Sequence, residues 1–134
     1  MFPQDTHILV VDDSANIRRL IVDHLQKLGF KSVVQAEDAN DAISKVNTQQ
    51  DKGNPFTLIL SDLNMPGPSG IDFLKHVRGV PAYKELPFLL ITTESEKGAV
   101  LEAAMNGVSS YVVKPFTIET LTKKLGEAWR KHNG

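Results

Sequence analysis

Carboxylates, a hydroxyl group and an amine stand where the apolar segments of this sequence end. Asp12 and Asp13 follow one segment, Asp62 ends another, Thr92 follows a third and Lys114 a fourth. Three carboxylates brought close together repel one another, so a cation between them lowers the cost of ionising all three. Oxygen ligands, with no His or Cys at these positions, favour Mg²⁺. The residues therefore predict a magnesium site, provided that the fold brings them together.

The sequence between these positions alternates short apolar segments with segments of helical spacing. The apolar segments predict five β-strands, at residues 7–11, 32–36, 58–62, 88–91 and 111–113. Five helices are predicted: from a Ser14 or Asp13 cap to Gly29, over about 40–46, around 71–77, from a Thr93 or Ser95 cap to about 106, and after Thr117 with Leu121, Leu125 and Trp129 buried. Residues 47–55 and 81–87 are predicted to be irregular connections.

Repeated strand–helix units predict an α/β fold with a parallel sheet, because right-handed crossovers place the helices on both faces. The carboxyl ends of parallel strands share one edge, so this fold would bring the five side chains together. Each residue also has an ordinary explanation when taken alone. Asp12 and Asp13 can cap a helix, Asp62 can begin a turn, Thr92 can be a strand residue and Lys114 a solvated charge. A single site explains all of them at once.

Length and composition restrict the class of protein. The 134 residues suit a single domain over 1–134, and a net charge of -1 predicts no binding to nucleic acid or to an anionic membrane. The absence of cysteine excludes disulfides and thiolate metal sites. No apolar stretch approaches the length of a membrane span, and the first residues do not look like a signal peptide. We therefore expect a cytoplasmic protein.

Four motifs carry a resemblance to a known family. They are Val-Val-Asp12-Asp13-Ser, Ser-Asp62-Leu-Asn64-Met-Pro66, Ile-Thr92-Thr-Glu94 and Ser-Tyr111-Val-Val-Lys114-Pro115-Phe116. In this order and spacing the chain resembles the receiver domains of two-component response regulators, and among them the single-domain chemotaxis regulators. The resemblance implies a doubly wound, flavodoxin-like sheet with strand order 2-1-3-4-5. One departure is Leu63, where the family often has an aromatic residue.

The resemblance also implies how the acidic residues bind metal. Asp13, Asp62 and the backbone carbonyl of Asn64 would ligate Mg²⁺, with Asp12 acting mainly through water. Asp62 would be the phospho-acceptor, taking a phosphoryl group from a phosphohistidine. Since no histidine here looks like that donor, a separate histidine kinase or histidine phosphotransfer protein is expected.

Further roles follow from the same resemblance. Lys114 would neutralise charge on the transferring group and Thr92 would hydrogen-bond it, so that the protein catalyses only its own phosphorylation and dephosphorylation. Asn64 and Glu94 would govern access of the hydrolytic water. Thr92 and Tyr111 would form a switch that changes the face made by the fourth helix, fifth strand and fifth helix.

That face would bind a downstream protein, which the resemblance implies to be the flagellar switch, through Tyr111 and Lys124. Dimerising receivers carry acidic residues just before the tyrosine, whereas this chain has Val108, Ser109 and Ser110. Because isologous pairing would lose its main polar contacts, we expect a monomer.

Four alternatives differ from this expectation. An FMN-binding flavodoxin-like domain is disfavoured because Asp12 and Asp13 would repel the phosphate. A haloacid dehalogenase-type aspartate phosphatase is disfavoured because Asn64 stands where a second acidic residue is usual. A degenerate receiver that only binds partners is disfavoured by the intact acidic set. The sequence does not separate a complete regulator from a receiver that belongs to a larger protein with transcriptional or kinase output.

Overall fold

The computed structural model describes residues 1–93 and 97–133 of the chain. Five parallel strands form one sheet in the order β2-β1-β3-β4-β5. The strands are β1 His7–Val11, β2 Ser32–Ala36, β3 Leu58–Asp62, β4 Phe88–Thr93 and β5 Ser110–Lys114. The helices are α1 Ala15–Lys27, α2 Ala39–Asp51, α3 Gly70–Gly79, α4 Lys97–Met105 and α5 Ile118–Asn133. The predicted fold class and strand order are confirmed.

Helices cover both faces of the sheet, which explains why the central strands are apolar on both sides. Alternate strand residues, such as Leu9 and Ile59, contribute to a core under α2, α3 and α4. Their neighbours Ile8 and Leu58 contribute to a second core under α1 and α5. Because helices cover both faces, the polar side chains at the carboxyl ends of the strands lie together along one edge of the sheet.

Helices α1, α2 and α3 begin with side-chain caps that the sequence makes possible. Ser14 accepts the Ile17 N–H before α1, and Asp38 accepts the Asp41 N–H before α2. Before α3, the hydroxyl of Ser69 accepts the Asp72 N–H while the Asp72 carboxylate accepts the Ser69 N–H, which is a capping box. These caps fix where the chain turns from each strand into the next helix.

The sequence prediction was wrong for the segment after Val46. Helix α2 continues to Asp51, so five residues that were predicted to be an irregular connection are helical. The hydroxyl of Tyr83 donates to Oδ1 of Asn47 at 2.8 Å, a long-range contact that stabilises this extra turn. The second connection also contains an ordered element, the 3₁₀ helix Pro81–Tyr83.

The other helices differ less from their predicted bounds. Thr117 caps α5 by accepting the Thr120 N–H, as predicted. Leu121 and Leu125 of α5 are buried as predicted, but the prediction was wrong for Trp129, which is half-buried; Ala128 is fully buried instead. The predicted cap Ser95 lies outside the described residues. Within residues 1–93 and 97–133, no helix has the length and apolar character needed to cross a membrane.

Candidate functional site

Three aspartates meet at the carboxyl edge of the sheet. Asp12 and Asp13 directly follow β1, and Asp62 is the last residue of the neighbouring strand β3. One carboxylate oxygen from each residue lies within 4.8 Å of the other two. Asp12 is 1% exposed and Asp62 7% exposed, whereas Asp13 is open to solvent. The predicted acidic cluster therefore exists, with two buried members and one at the surface.

Two hydrogen bonds and an ion pair hold Asp12 in place. Its backbone N–H donates to the carbonyl of Ala36 at 3.2 Å, and its Oδ1 accepts the Ser14 N–H at 2.9 Å. Its Oδ2 lies 3.3 Å from Nζ of Lys114. These bonds give hydrogen-bonding partners to a carboxylate that is buried. They also fix the side chain in one orientation.

Lys114 joins Asp12 to Asp62 across the site. Its Nζ lies 3.0 Å from Oδ1 of Asp62, and the same oxygen accepts the Leu63 N–H at 3.0 Å. Burial raises the pKa of Asp62 and the charge of Asp12 adds to this effect, although the hydrogen bonds from Lys114 and Leu63 oppose it. Burial alone would lower the pKa of Lys114, but its contacts with Asp62 and Asp12 outweigh burial and raise it.

The loop between β3 and α3 is anchored by a close backbone contact. The N–H of Gly70 donates to the carbonyl of Leu63 at 2.8 Å. A Cβ added at Gly70 would overlap the carbonyl oxygen of Asp62, so only glycine fits there without displacing that peptide. Asn64 lies in this loop, exposed and two residues beyond Asp62. Glu94, its predicted counterpart, lies outside the described residues.

Thr92 and Tyr111 lie on neighbouring strands. Thr92 is paired with Val113 and Leu90 with Tyr111, so Thr92 and Tyr111 project from the same face of the sheet. Thr92 is buried and its hydroxyl donates to the Thr93 carbonyl at 3.4 Å, a long contact.

The half-buried ring of Tyr111 lies beside open space. The ammonium of Lys124 stands 4.9 Å from the ring centroid, within cation–π range. A cavity of about 440 Å³ opens next to the ring, between β4, α4 and β5. Its walls are formed by Thr93, Lys97, Val100, Tyr111 and Val113.

Two residues of the site were not found from the sequence. Arg18 on α1 donates from Nη1 to the backbone carbonyl of Asp12 at 2.6 Å. Glu127 on α5 accepts a hydrogen bond from Ser110 at 3.0 Å and lies 3.4 Å from Lys124. Every residue has a backbone carbonyl, so residue types do not reveal which carbonyl Arg18 binds. The second follows a recognisable i,i+3 spacing between Lys124 and Glu127.

The geometry suits a hard divalent cation. The carboxylates of Asp12, Asp13 and Asp62 provide oxygen donors close enough to share one ion. An ion there would offset the repulsion that helps to raise the pKa of Asp62. The residues therefore fit Mg²⁺, and the adjacent Lys114 adds a second positive charge that can meet an anionic group.

Comparison with known proteins agrees with this arrangement. The chain matches the response regulator receiver domain over residues 8–126. It is 40% identical over 127 residues to the chemotaxis protein CheY of Pseudomonas aeruginosa, covering 95% of this chain and 98% of that protein. The chemotaxis protein CheY-3 of Vibrio cholerae is 40% identical over 124 residues, which is 92% of each chain.

Solved structures give the same result. The structure of Vibrio cholerae chemotaxis protein CheY4 superposes with a TM-score of 0.81 at 36% sequence identity, covering 92% of this chain and 98% of the other. The sequence and structure comparisons thus agree over nearly the whole chain. The chain belongs to the response regulator receiver family.

Proposed function

We propose that this protein is a phospho-acceptor in a two-component phosphorelay, with Asp62 as the residue that is phosphorylated. The observation that carries the proposal is the cluster of Asp12, Asp13 and Asp62 with the ammonium of Lys114 against Asp62. A histidine kinase or a histidine phosphotransfer protein would supply the phosphoryl group. The relatives named above are chemotaxis proteins, which supports a role in chemotaxis signalling.

The proposed reaction is a transfer from nitrogen to oxygen. The Leu63 N–H and Lys114 both contact Oδ1 of Asp62, and no described residue hydrogen-bonds to Oδ2. We therefore assign the attack on phosphorus to Oδ2. The P–O bond forms as the P–N bond of the phosphohistidine breaks, and the leaving imidazole nitrogen keeps the electron pair and takes a proton. An ionised carboxylate needs no general base.

Three side chains would hold the metal and two would contact the phosphoryl group. Asp12, Asp13 and Asp62 would hold Mg²⁺, together with the backbone carbonyl of Asn64. When bound, Mg²⁺ supplies positive charge against the phosphoryl oxygens. Lys114, whose ammonium lies against Asp62, would neutralise the same charge. Among the described residues the Thr92 hydroxyl makes one hydrogen bond, a long one of 3.4 Å, so it is available to donate to a phosphoryl oxygen instead.

A movement of Thr92 toward the phosphoryl group would carry the signal away from the site. The cavity beside Tyr111 gives its ring a place to turn once Thr92 has moved. This rotation would change the face formed by α4, β5 and α5, where Tyr111 and Lys124 meet a partner protein. We propose that the chain acts as a monomer and that the partner is the flagellar switch. A cytoplasmic location stays a prediction from the sequence.

Acetyl phosphate with Mg²⁺ tests the acceptor assignment, because this small donor carries an activated phosphoryl group. Intact-mass spectrometry should show one added phosphoryl group on the wild-type protein and none on Asp62→Asn. Asp23→Asn, which changes an exposed aspartate on α1, should be labelled like the wild type. A labelled Asp62→Asn protein would refute the assignment.

A further inference from the structure

The contacts of Arg18 point to a role that its position on α1 does not suggest. The geometry points to Arg18 as a positioning residue that holds the Asp12–Asp13 backbone in the conformation that binds Mg²⁺. This inference rests on the proposed function, because it concerns the metal site of the same reaction.

The guanidinium of Arg18 is fixed at two points. Its Nη1 donates to the backbone carbonyl of Asp12 at 2.6 Å, a short hydrogen bond from a charged donor. Its Nε donates to Oε1 of Gln35 at 3.1 Å. Because the guanidinium is planar, these two bonds define both its place and its orientation.

Gln35 is itself held on the neighbouring strand. It pairs with Val10 in the β1–β2 ladder, and its carbonyl accepts a hydrogen bond from Lys45 of α2 at 2.6 Å. Lys45 also forms an ion pair with Asp41 at 3.1 Å. A continuous series of contacts therefore runs from α2 through β2 and Arg18 to the end of β1.

Asp13 needs this support more than Asp12 does. The Asp12 carboxylate is held by Ser14 and Lys114, as described above. The Asp13 carboxylate is exposed and forms no hydrogen bond or ion pair with any described residue. Its position is therefore set by the backbone alone. The peptide between Asp12 and Asp13 carries the carbonyl that Arg18 binds, so releasing Arg18 would let this peptide rotate and displace the Asp13 carboxylate.

Electrostatics and positioning predict opposite effects on metal affinity. A guanidinium near the acidic cluster repels a divalent cation, so removing its charge alone should strengthen Mg²⁺ binding. Removing a group that positions a ligand should weaken binding, by about tenfold for many outer-shell partners. Arg19 provides the matched control, because it is the adjacent residue, carries the same charge and is exposed without a partner among the described residues.

Calorimetric titration with Mg²⁺ at low ionic strength separates these effects. Arg18→Met should weaken binding about tenfold, whereas Arg19→Met should leave it unchanged or slightly stronger. Gln35→Leu, which keeps the Arg18 charge but removes one of its anchors, should weaken binding to a smaller degree. Each variant is first checked by thermal melting, so that affinity is measured on folded protein.

The titration distinguishes failure of the positioning role of Arg18 from failure of the proposed Mg²⁺ site. Equal or tighter binding by Arg18→Met would overturn the positioning role while leaving the metal site intact. Equal losses in Arg18→Met and Arg19→Met would show that the contacts made by Arg18 alone do not cause the loss, and would also overturn the positioning role. A wild-type protein that binds no Mg²⁺ would instead refute the proposed function.

Discussion

Nζ of Lys114 lies 3.0 Å from Oδ1 of Asp62, so the proposed nucleophile is ion-paired before any phosphoryl donor arrives. Burial nevertheless raises the pKa of Asp62, and the negative charge of Asp12 contributes in the same direction. The ionised form of Asp62 is therefore less favourable in the folded protein than in the unfolded chain. The ionised Asp62 carboxylate therefore lowers the free energy of unfolding at neutral pH.

Asp62→Asn should therefore stabilise the apoprotein at neutral pH. Since the folded pKa of Asp62 lies above its unfolded value, folding stability decreases as the pH rises through the folded pKa, and the variant escapes this loss. A gain of about 1 kcal/mol would raise the melting temperature by about 4 °C in a domain of this size. Urea denaturation across the acidic to neutral range should show the gain disappearing in acid, where Asp62 is protonated in both states. A variant less stable than the wild type at neutral pH would contradict the prediction.

Two glycines of α3 should respond differently to alanine. Gly70→Ala places a Cβ against the carbonyl of Asp62 and should cost about 1–3 kcal/mol, because backbone atoms must shift. Gly79→Ala meets no atom within 4 Å and should be neutral or stabilising by up to about 1 kcal/mol. Chemical denaturation gives both values. Similar changes in stability at both positions would mean that the contact with the Asp62 carbonyl does not determine the cost at Gly70.

The lifetime of the phosphorylated state should depend on Asn64. Its side chain is exposed beside Asp62, where a small amide leaves room for the water that attacks phosphorus. Asn64→Met should slow dephosphorylation several-fold by occupying that room, and an apolar substitution of Glu94 is expected to add to the effect. Decay of the phosphorylated species is followed by mass spectrometry, with Asn40→Met on α2 as the control. Unchanged decay would show that Asn64 does not limit access.

Activation should leave the protein monomeric. Lys124 lies 3.4 Å from Glu127 of its own helix, and Ser110 donates to the same carboxylate at 3.0 Å. These charges are satisfied within the chain and offer little to an isologous partner. Light scattering with and without beryllium fluoride and Mg²⁺ should give the same molar mass. A doubled mass on activation would favour a dimerising receiver instead.

The sequence predicted the strands well because each is short, apolar and bounded by polar residues, and all five lie within two residues of their predicted limits. The meeting of Asp12, Asp62 and Lys114 was also predictable, since parallel strands end at one edge. Helix α2 was predicted too short because its last turn is polar and depends on a contact between Asn47 and Tyr83. Such contacts join residues far apart in the chain, and composition does not reveal them.

The role of Arg18 was missed for a related reason. Its spacing identifies it only as a polar residue on an amphipathic helix, as it does Arg19. What distinguishes Arg18 is its pair of hydrogen bonds, one to the backbone carbonyl of Asp12 and one to the side chain of Gln35 on β2. Contacts with backbone atoms depend on the conformation of the chain, which becomes known only with the fold.

The single tryptophan of this chain lines a cavity with His7, Thr57 and Pro87, at the sheet edge opposite the acidic cluster. Trp129 packs edge-on against Phe2, with ring centroids 5.2 Å apart, about 16 Å along the axis of α5 from its first residue. The residue that follows the acceptor Asp62 is Leu63, which is not fluorescent. The fluorescence of Trp129 should therefore change when Phe2 leaves its ring or when the protein unfolds. The binding of metal or phosphoryl groups should leave this emission unchanged. Optical studies of those events need a fluorophore introduced near Leu63.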